Sequence, residues 1–184
     1  VVAAVGNLIP EKRLDVALRA FARALFGVQE ALFVVAGVAS PHYDPRAMAR
    51  ARGLEPVMRW LGRVDEATFE TILVAADLCV NLRWPTGGET SGSFLRMLAA
   101  GRPTIVSDVG SFAETPDDAC LNVPVGGEEE EAAIVRAMLR VANDPTWATG
   151  LGARARAFAA EAHSFERAAG GYRAAIEALT SESG

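Results

Sequence analysis

Long hydrophobic runs are missing from this sequence. Hydrophobic residues make up 51% of its 184 positions, yet no apolar stretch approaches the roughly 18 to 20 residues that a membrane span needs. An excess of positive charge is missing too. With a formal net charge of −5, a general nucleic-acid or acidic-membrane surface is excluded, and any anion must be held by a local site. Cysteine is scarce: Cys79 and Cys120 lie in apolar, strand-like runs, and buried reduced thiols in a reducing compartment are a simpler reading than a disulfide. The two histidines, His42 and His163, stand far apart, so no metal-ligand spacing is visible and no metal is expected. No internal repeat or low-complexity segment stands out. The chain also opens without an initiator methionine or signal peptide, inside a strand-like run at Val1. The expectation is an excised domain, and the length suits one domain or one half of a larger enzyme.

What is present is an alternation of strand and helix patterns. Val1 to Val5 is apolar and rich in β-branched residues, Gly6-Asn7 turns, and Pro10 suits a first helical turn. Leu14, Ala17, Leu18, Phe21 and Leu25 then follow the spacing of an amphipathic helix. Ala31 to Ala36 is a continuous apolar run ended by Gly37, as expected for a strand buried on both faces. A helix near Arg46 to Arg52, a strand from Val57 to Leu61, a helix capped by Asp65 and running to about Ala76, and strands at Asp77 to Leu82, Pro103 to Ser107 and Cys120 to Val125 complete the alternation. The acidic run Glu128 to Glu131 reads as the solvated first turn of a helix with an apolar stripe of Ile134, Met138 and Val141. Helices are expected again over Trp147 to Ala160 and Phe165 to Leu179, with a disordered tail from Thr180 to Gly184. The fold class is α/β, a doubly wound parallel sheet whose post-strand loops share one edge.

Among those loops, WPTGGETSGSFLRMLAAG (Trp84 to Gly101) is the most informative. Gly87, Gly88 and Gly92 let another molecule approach the main chain. Thr90, Ser91 and Ser93 add hydroxyls, with Ser91 or Ser93 placed to cap the following helix. A helix start of this kind suits a phosphate, and Glu89 sets one carboxylate inside the cradle. The loop is neither a Walker A sequence nor Gly-x-Gly-x-x-Gly, so an ordinary strand-to-helix turn is an alternative reading. Lys12 stands near a helix N-terminus, where a cation is disfavoured unless an anion shares the space; the alternative is a surface lysine. Arg13 reads as solvated surface, and Arg63 as an anion contact or a surface charge.

The succession VGNLIPEK, ALFVVAG, VMRWLGRV, ADLCVNLRWPTGGETSGSFLRMLAAGRPTIVSDVGSFAE and the closing NDP…LGARAR…FAAEAHSFERAAGGY resembles the C-terminal, donor-binding domain of retaining GT-B glycosyltransferases of family 4 (glycosyl transferases group 1). The likeness covers Val1 to about Leu179. It implies a Rossmann-like half of a GT-B fold, residues 1–179 binding a nucleotide-diphosphate sugar, with the acceptor held by an N-terminal domain absent from this chain. By resemblance, Lys12 contacts the donor diphosphate, Glu89 accepts hydrogen bonds from sugar hydroxyls, and Gly88, Thr90, Ser91, Gly92 and Ser93 present the loop to phosphate or sugar. Gly6 and Asn7 belong to the first phosphate loop, Arg63-Val64 lies beside the base, and Glu114 matches a glutamate of the loop after the next strand, with orienting that loop as its alternative role.

Two residues depart from the pattern. Asn7 stands where the family usually has arginine, and it cannot supply charge or a fork. Arg96 stands where a second glutamate would hold the ribose hydroxyls, and it has no acceptor capacity. A subfamily variant, a changed donor and reduced activity are the three explanations. No protein nucleophile is implied, and no cofactor or metal is expected. The implied location is cytoplasmic, peripheral to the inner membrane through the absent domain. The implied partners are a nucleotide sugar, that N-terminal domain, and a second copy through an exposed C-terminal helix. Two other readings stand beside this one: half of a sugar-nucleotide epimerase, and a non-catalytic domain that keeps the fold for protein contacts.

Overall fold

A computed structural model describes residues 1–28 and 30–181. Six strands, β1 (Val2–Val5), β2 (Phe33–Ala36), β3 (Met58–Gly62), β4 (Leu78–Asn81), β5 (Thr104–Ser107) and β6 (Leu121–Val123), form one parallel sheet in the order β3-β2-β1-β4-β5-β6. The chain winds outward from β1 in one direction and from β4 in the other. The topological switch therefore falls between β1 and β4, which opens a crevice beyond their carboxyl ends.

β1, β4 and β5 are buried at every residue, in keeping with their unbroken apolar sequences and with helices on both faces. On one face, α1 (Leu14–Ala24), α2 (Pro45–Arg50) and α5 (Gly127–Asn143) cover a core that includes Leu18, Phe21, Phe33, Leu54 and Ile134. On the other, α3 (Glu66–Ala75), α4 (Gly92–Ala99) and α6 (Pro145–Ala162) enclose Leu73, Cys79 and Met97 and, beside them, Phe94, Leu98, Phe112 and Ala155. Edge-to-face aromatic pairs anchor each side: Phe21 on Phe33 at 5.1 Å and Phe94 on Phe112 at 5.2 Å. Cys79 and Cys120 are free and buried, and burial pushes both thiols up to about 12.

The strands are shorter than their apolar runs. Ala31 and Leu32 precede β2, and Cys120 precedes β6. Asp65 caps α3 as expected, its Oδ1 accepting from the Thr68 amide at 2.8 Å. Two expectations about charged residues are overturned. The acidic run is not a solvated turn: Glu130 is 1% exposed and Glu131 accepts from Arg19 Nε at 2.9 Å and Arg23 Nη1 at 3.1 Å, leaving only Glu128 and Glu129 exposed. Glu130 occupies the register of the apolar stripe, one turn before Ile134, so helical geometry carries it inward. Arg13, expected at the solvated surface, is its partner. The last helix, α7 (Phe165–Ser181), also runs past Leu179 into the expected tail; residues 182–184 lie outside the described residues. Along α7, Phe165, Tyr172, Ile176 and Leu179 are all exposed.

Candidate functional site

The loops after β1, β2 and β3 stack against one another at the carboxyl edge. The Gly6 amide donates to Ala36 O at 2.9 Å, the Leu8 amide to Val38 O at 2.9 Å, and the Gly37 amide to Gly62 O at 2.7 Å. Gly37 has to be glycine: a Cβ there would stand 1.8 Å from the Gly6 carbonyl oxygen. The chain then makes a 3-10 turn over Pro10–Lys12, closed by Arg13 in the left-handed conformation (φ 49, ψ 36).

That turn aims Lys12, the chain's single lysine, back at the end of β1. Its Nζ donates to Val5 O at 3.4 Å. It lies 2.6 Å from the point a Gly6 Cβ would occupy, and Ser93 Oγ is 3.9 Å from the same point. The half-buried ammonium therefore lies against the β1 turn, near the start of α4. Burial lowers its pKa to about 8, and the nearby positive charge of Arg83 adds to the effect.

Across the switch point, β4 ends in Asn81, which is 3% exposed. Its side-chain amide donates to Ser93 Oγ at 2.9 Å and Ser91 Oγ at 3.4 Å. Ser91 caps α4, accepting from the Phe94 amide at 3.3 Å, so the capping expectation holds at Ser91, while Ser93 is engaged by Asn81. The loop between them is tightly built. The Trp84 amide donates to Glu11 O at 2.7 Å, which ties it to the Pro10–Lys12 turn, and Ser111 Oγ donates to Glu89 O at 2.9 Å, which ties it to the loop after β5. Glu89 accepts from the Gly87 amide at 2.9 Å and from Thr86 Oγ1 at 3.1 Å, and forms an ion pair with Arg83 Nη1 at 2.8 Å. Hydrogen bonds from its own amide, the Thr86 hydroxyl and the Gly87 amide hold its carboxyl below the usual range. Gly88 turns at φ +86, with its amide on Thr86 Oγ1 at 3.0 Å.

Gly6, Lys12, Ser91 and Ser93 thus converge, and Glu89 joins them through Arg83. Gly92 opens α4 with Ser91 as its cap. Asn7, Arg63, Thr90 and Glu114 are exposed, and Val64 packs partly buried beside Leu73. Arg96 is turned onto α3: it pairs with Glu66 and Glu70 and lies 3.9 Å over the Phe69 ring. Arg83 and Asn81 are the residues that sequence reasoning passed over. Their signal was position alone, a buried amide and an arginine at the exit of the switch-point strand.

A larger cavity of about 750 Å³ opens at the opposite, amino-terminal edge, among Phe21, Leu25, Leu78 and Met138. Its two arginines there, Arg102 and Arg156, donate to Ala76 O and Ala100 O. Volume lies at one edge and chemistry at the other. Open α/β sheets bind ligands at the carboxyl edge, where the space lined by Val5, Leu8, Lys12 and Asn81 is small but carries the converging charges.

Residues 1–144 match the family described as glycosyl transferases group 1. Among solved structures, sucrose-phosphate synthase from Thermosynechococcus elongatus is 20% identical at a TM-score of 0.81, covering 98% of this chain and 46% of that one. Anabaena HepE, solved in complex with UDP, is 15% identical at 0.75, covering 87% and 43%. The C-terminal domain of the Francisella tularensis protein LpcC, a member of the same family, is 15% identical at 0.74, covering 88% and 85%. At these identities the likeness is one of fold. The chain spans less than half the length of the first two structures. No curated protein matches it.

Proposed function

The chain belongs to the glycosyl transferases group 1 family, and from that premise we propose that residues 1–179 are the donor-binding domain of a retaining GT-B hexosyltransferase. A nucleotide-diphosphate sugar lies across the β1/β4 switch point, and an N-terminal domain outside this chain presents the acceptor. The observation that carries the reading is the seat of Lys12, a partly desolvated ammonium beside Gly6 and Ser93. Placing a cation there costs free energy unless an anion arrives to share the space.

In this arrangement Lys12 neutralises charge on the departing nucleoside diphosphate, where a desolvated cation is worth more than in water. Gly92 and Ser93 bring the amides at the start of α4 to the phosphates. Glu89 accepts hydrogen bonds from sugar hydroxyls, and the main chain at Arg63-Val64 runs beside the base. The positive groups named here do the work of charge stabilisation, and no cofactor is invoked. The complex of HepE with UDP favours a nucleoside diphosphate as the ligand class.

The exposed apolar side chains of α7 support docking of the N-terminal domain, with self-association as the outcome when that domain is missing. No helix among the described residues is long and apolar enough to cross a membrane. We place the enzyme in the cytoplasm, with any membrane contact made by the N-terminal domain.

Calorimetric titration with UDP, GDP, ADP and their sugar conjugates tests the reading. Selective binding of one nucleotide, weakened by Lys12→Ala, is expected. Binding of none by the protein carrying both domains would sink it.

A further inference from the structure

Arg83 is built into the site more firmly than a surface arginine. Its side chain is 15% exposed, its backbone amide is fixed to Ser107 Oγ at 2.9 Å, and the next amide is fixed to Glu11 O. Its guanidinium meets Glu89 through Nη1 at 2.8 Å. Its Nε is buried without a hydrogen-bond partner. A guanidinium presents paired N–H groups along its edges and matches two phosphate oxygens there, and the Glu89 contact at Nη1 lies on the terminal Nη1/Nη2 edge, away from Nε. The positive charge of Arg83 also reaches Lys12. Two cations sharing one desolvated corner repel each other, and a polyanion between them would relieve both.

Glu89 is the weaker side of the ion pair. It is 49% exposed, and its bonds from Gly87 N and Thr86 Oγ1 do not depend on Arg83. Losing the arginine would break one contact and leave the loop's shape intact. Asn7 at the exposed rim contributes no charge, which leaves Arg83 as a cation beside Lys12 on this edge.

We propose that Arg83 is a donor-binding residue held in reserve by Glu89. The donor diphosphate takes the guanidinium through its terminal Nη1/Nη2 edge, where Glu89 now sits, and displaces the Glu89 carboxylate, which is then free to accept hydrogen bonds from the sugar. This exchange rests on the donor-domain reading. It also makes Glu89 a residue of two opposite effects, competing with the diphosphate and favouring the sugar.

Calorimetry on the chain with inorganic pyrophosphate, a nucleoside diphosphate and its hexose conjugate separates these effects. Arg83→Gln should weaken pyrophosphate and nucleoside diphosphate by about tenfold or more, the scale of one lost charge-assisted hydrogen bond. Arg83→Lys, which keeps the charge but not the fork, should recover only part. Glu89→Gln should tighten pyrophosphate and nucleoside diphosphate by roughly threefold, the scale of a half-exposed ion pair, while lowering the affinity ratio of the sugar conjugate to the diphosphate. Glu89 lies in no core, so this variant gives an answer even if Arg83→Gln misfolds. Weaker pyrophosphate binding by Glu89→Gln, or Arg83→Gln within twofold of the parent, overturns the exchange. If nucleotide still binds in a Lys12-dependent way in that case, the donor-domain reading survives alone; if the protein carrying both domains binds none of the three, both fall.

Discussion

Arg13 closes on Glu130 from 117 residues away, Nε to Oε1 at 2.7 Å with Nη2 on the second oxygen. The same carboxylate accepts from the Gly126 amide at 2.7 Å. One buried acid thereby joins the turn that aims Lys12 to the start of α5. Removing one partner of a buried ion pair leaves the other charge uncompensated. Glu130→Ala is expected to cost about 3 kcal/mol of unfolding free energy in urea titration, and Glu130→Gln less, because it still accepts at one oxygen.

The single lysine makes the charge state of the site directly measurable. Side-chain NMR of lysine-labelled protein should give one ζ signal with a midpoint near 8. An unfolded lysine titrates near 10.4. The folded form therefore releases this proton first, and Lys12's contribution to stability rises with pH between those values: the cost of burying the charge is fully present below 8 and relieved above it. A bound diphosphate favours the charged form and should raise the midpoint. By linkage, diphosphate affinity should then fall as pH rises past about 8, and a midpoint that does not move on saturation would contradict anion contact by Lys12.

Gly6 and Gly37 are expected to fail in different ways. A Cβ on Gly37 would meet backbone at 1.8 Å, whereas one on Gly6 would meet the flexible end of Lys12 at 2.6 Å. Both glycines also sit at positive φ, +109 at Gly6 and +152 at Gly37, a conformation whose strain for alanine is on the order of 1–3 kcal/mol. Gly6→Ala should therefore fold with reduced stability and lose most nucleotide affinity, because the ammonium is pushed from its seat. Gly37→Ala should give little folded protein. Thermal unfolding and calorimetry on the pair check the contrast.

At Arg96, reversal to the glutamate that the family resemblance implies should not help. Glu66 and Glu70 face each other one turn apart on α3, and Arg96 bridges them over Phe69. Arg96→Ala exposes that repulsion and loses the cation–π contact, about 1 kcal/mol together. Arg96→Glu adds a third carboxylate and should destabilise further, with the difference between the two variants shrinking in high salt. Urea unfolding at two ionic strengths measures it.

How much was legible beforehand follows from the range of each interaction. Ser91 and Asp65 were readable as caps because a cap bonds an amide three residues away, and the apolar stripe of α5 was readable because it repeats within one helix. Glu130 was misread because its charge suggested solvent, while its register with Ile134 carried it inward to meet Arg13. Arg83 gave no local sign beyond its place at the exit of a strand, because its partners are Glu89 and, at the backbone, Ser107.

By itself the sequence determined the alternation of strands and helices, their parallel winding, the loop at Trp84 to Gly101 as the chemically dense one, and Lys12 and Glu89 as residues of interest. These rest on periodicity, caps and glycine punctuation, which act over a few residues. Only the tertiary structure decided that Lys12 turns back onto Gly6, that Arg83 pairs with Glu89, that Arg96 pairs with α3, and that Arg13 is held by Glu130. Side-chain partners are chosen where loops distant in the chain meet, and that meeting is set by the order β3-β2-β1-β4-β5-β6, which no local pattern contains.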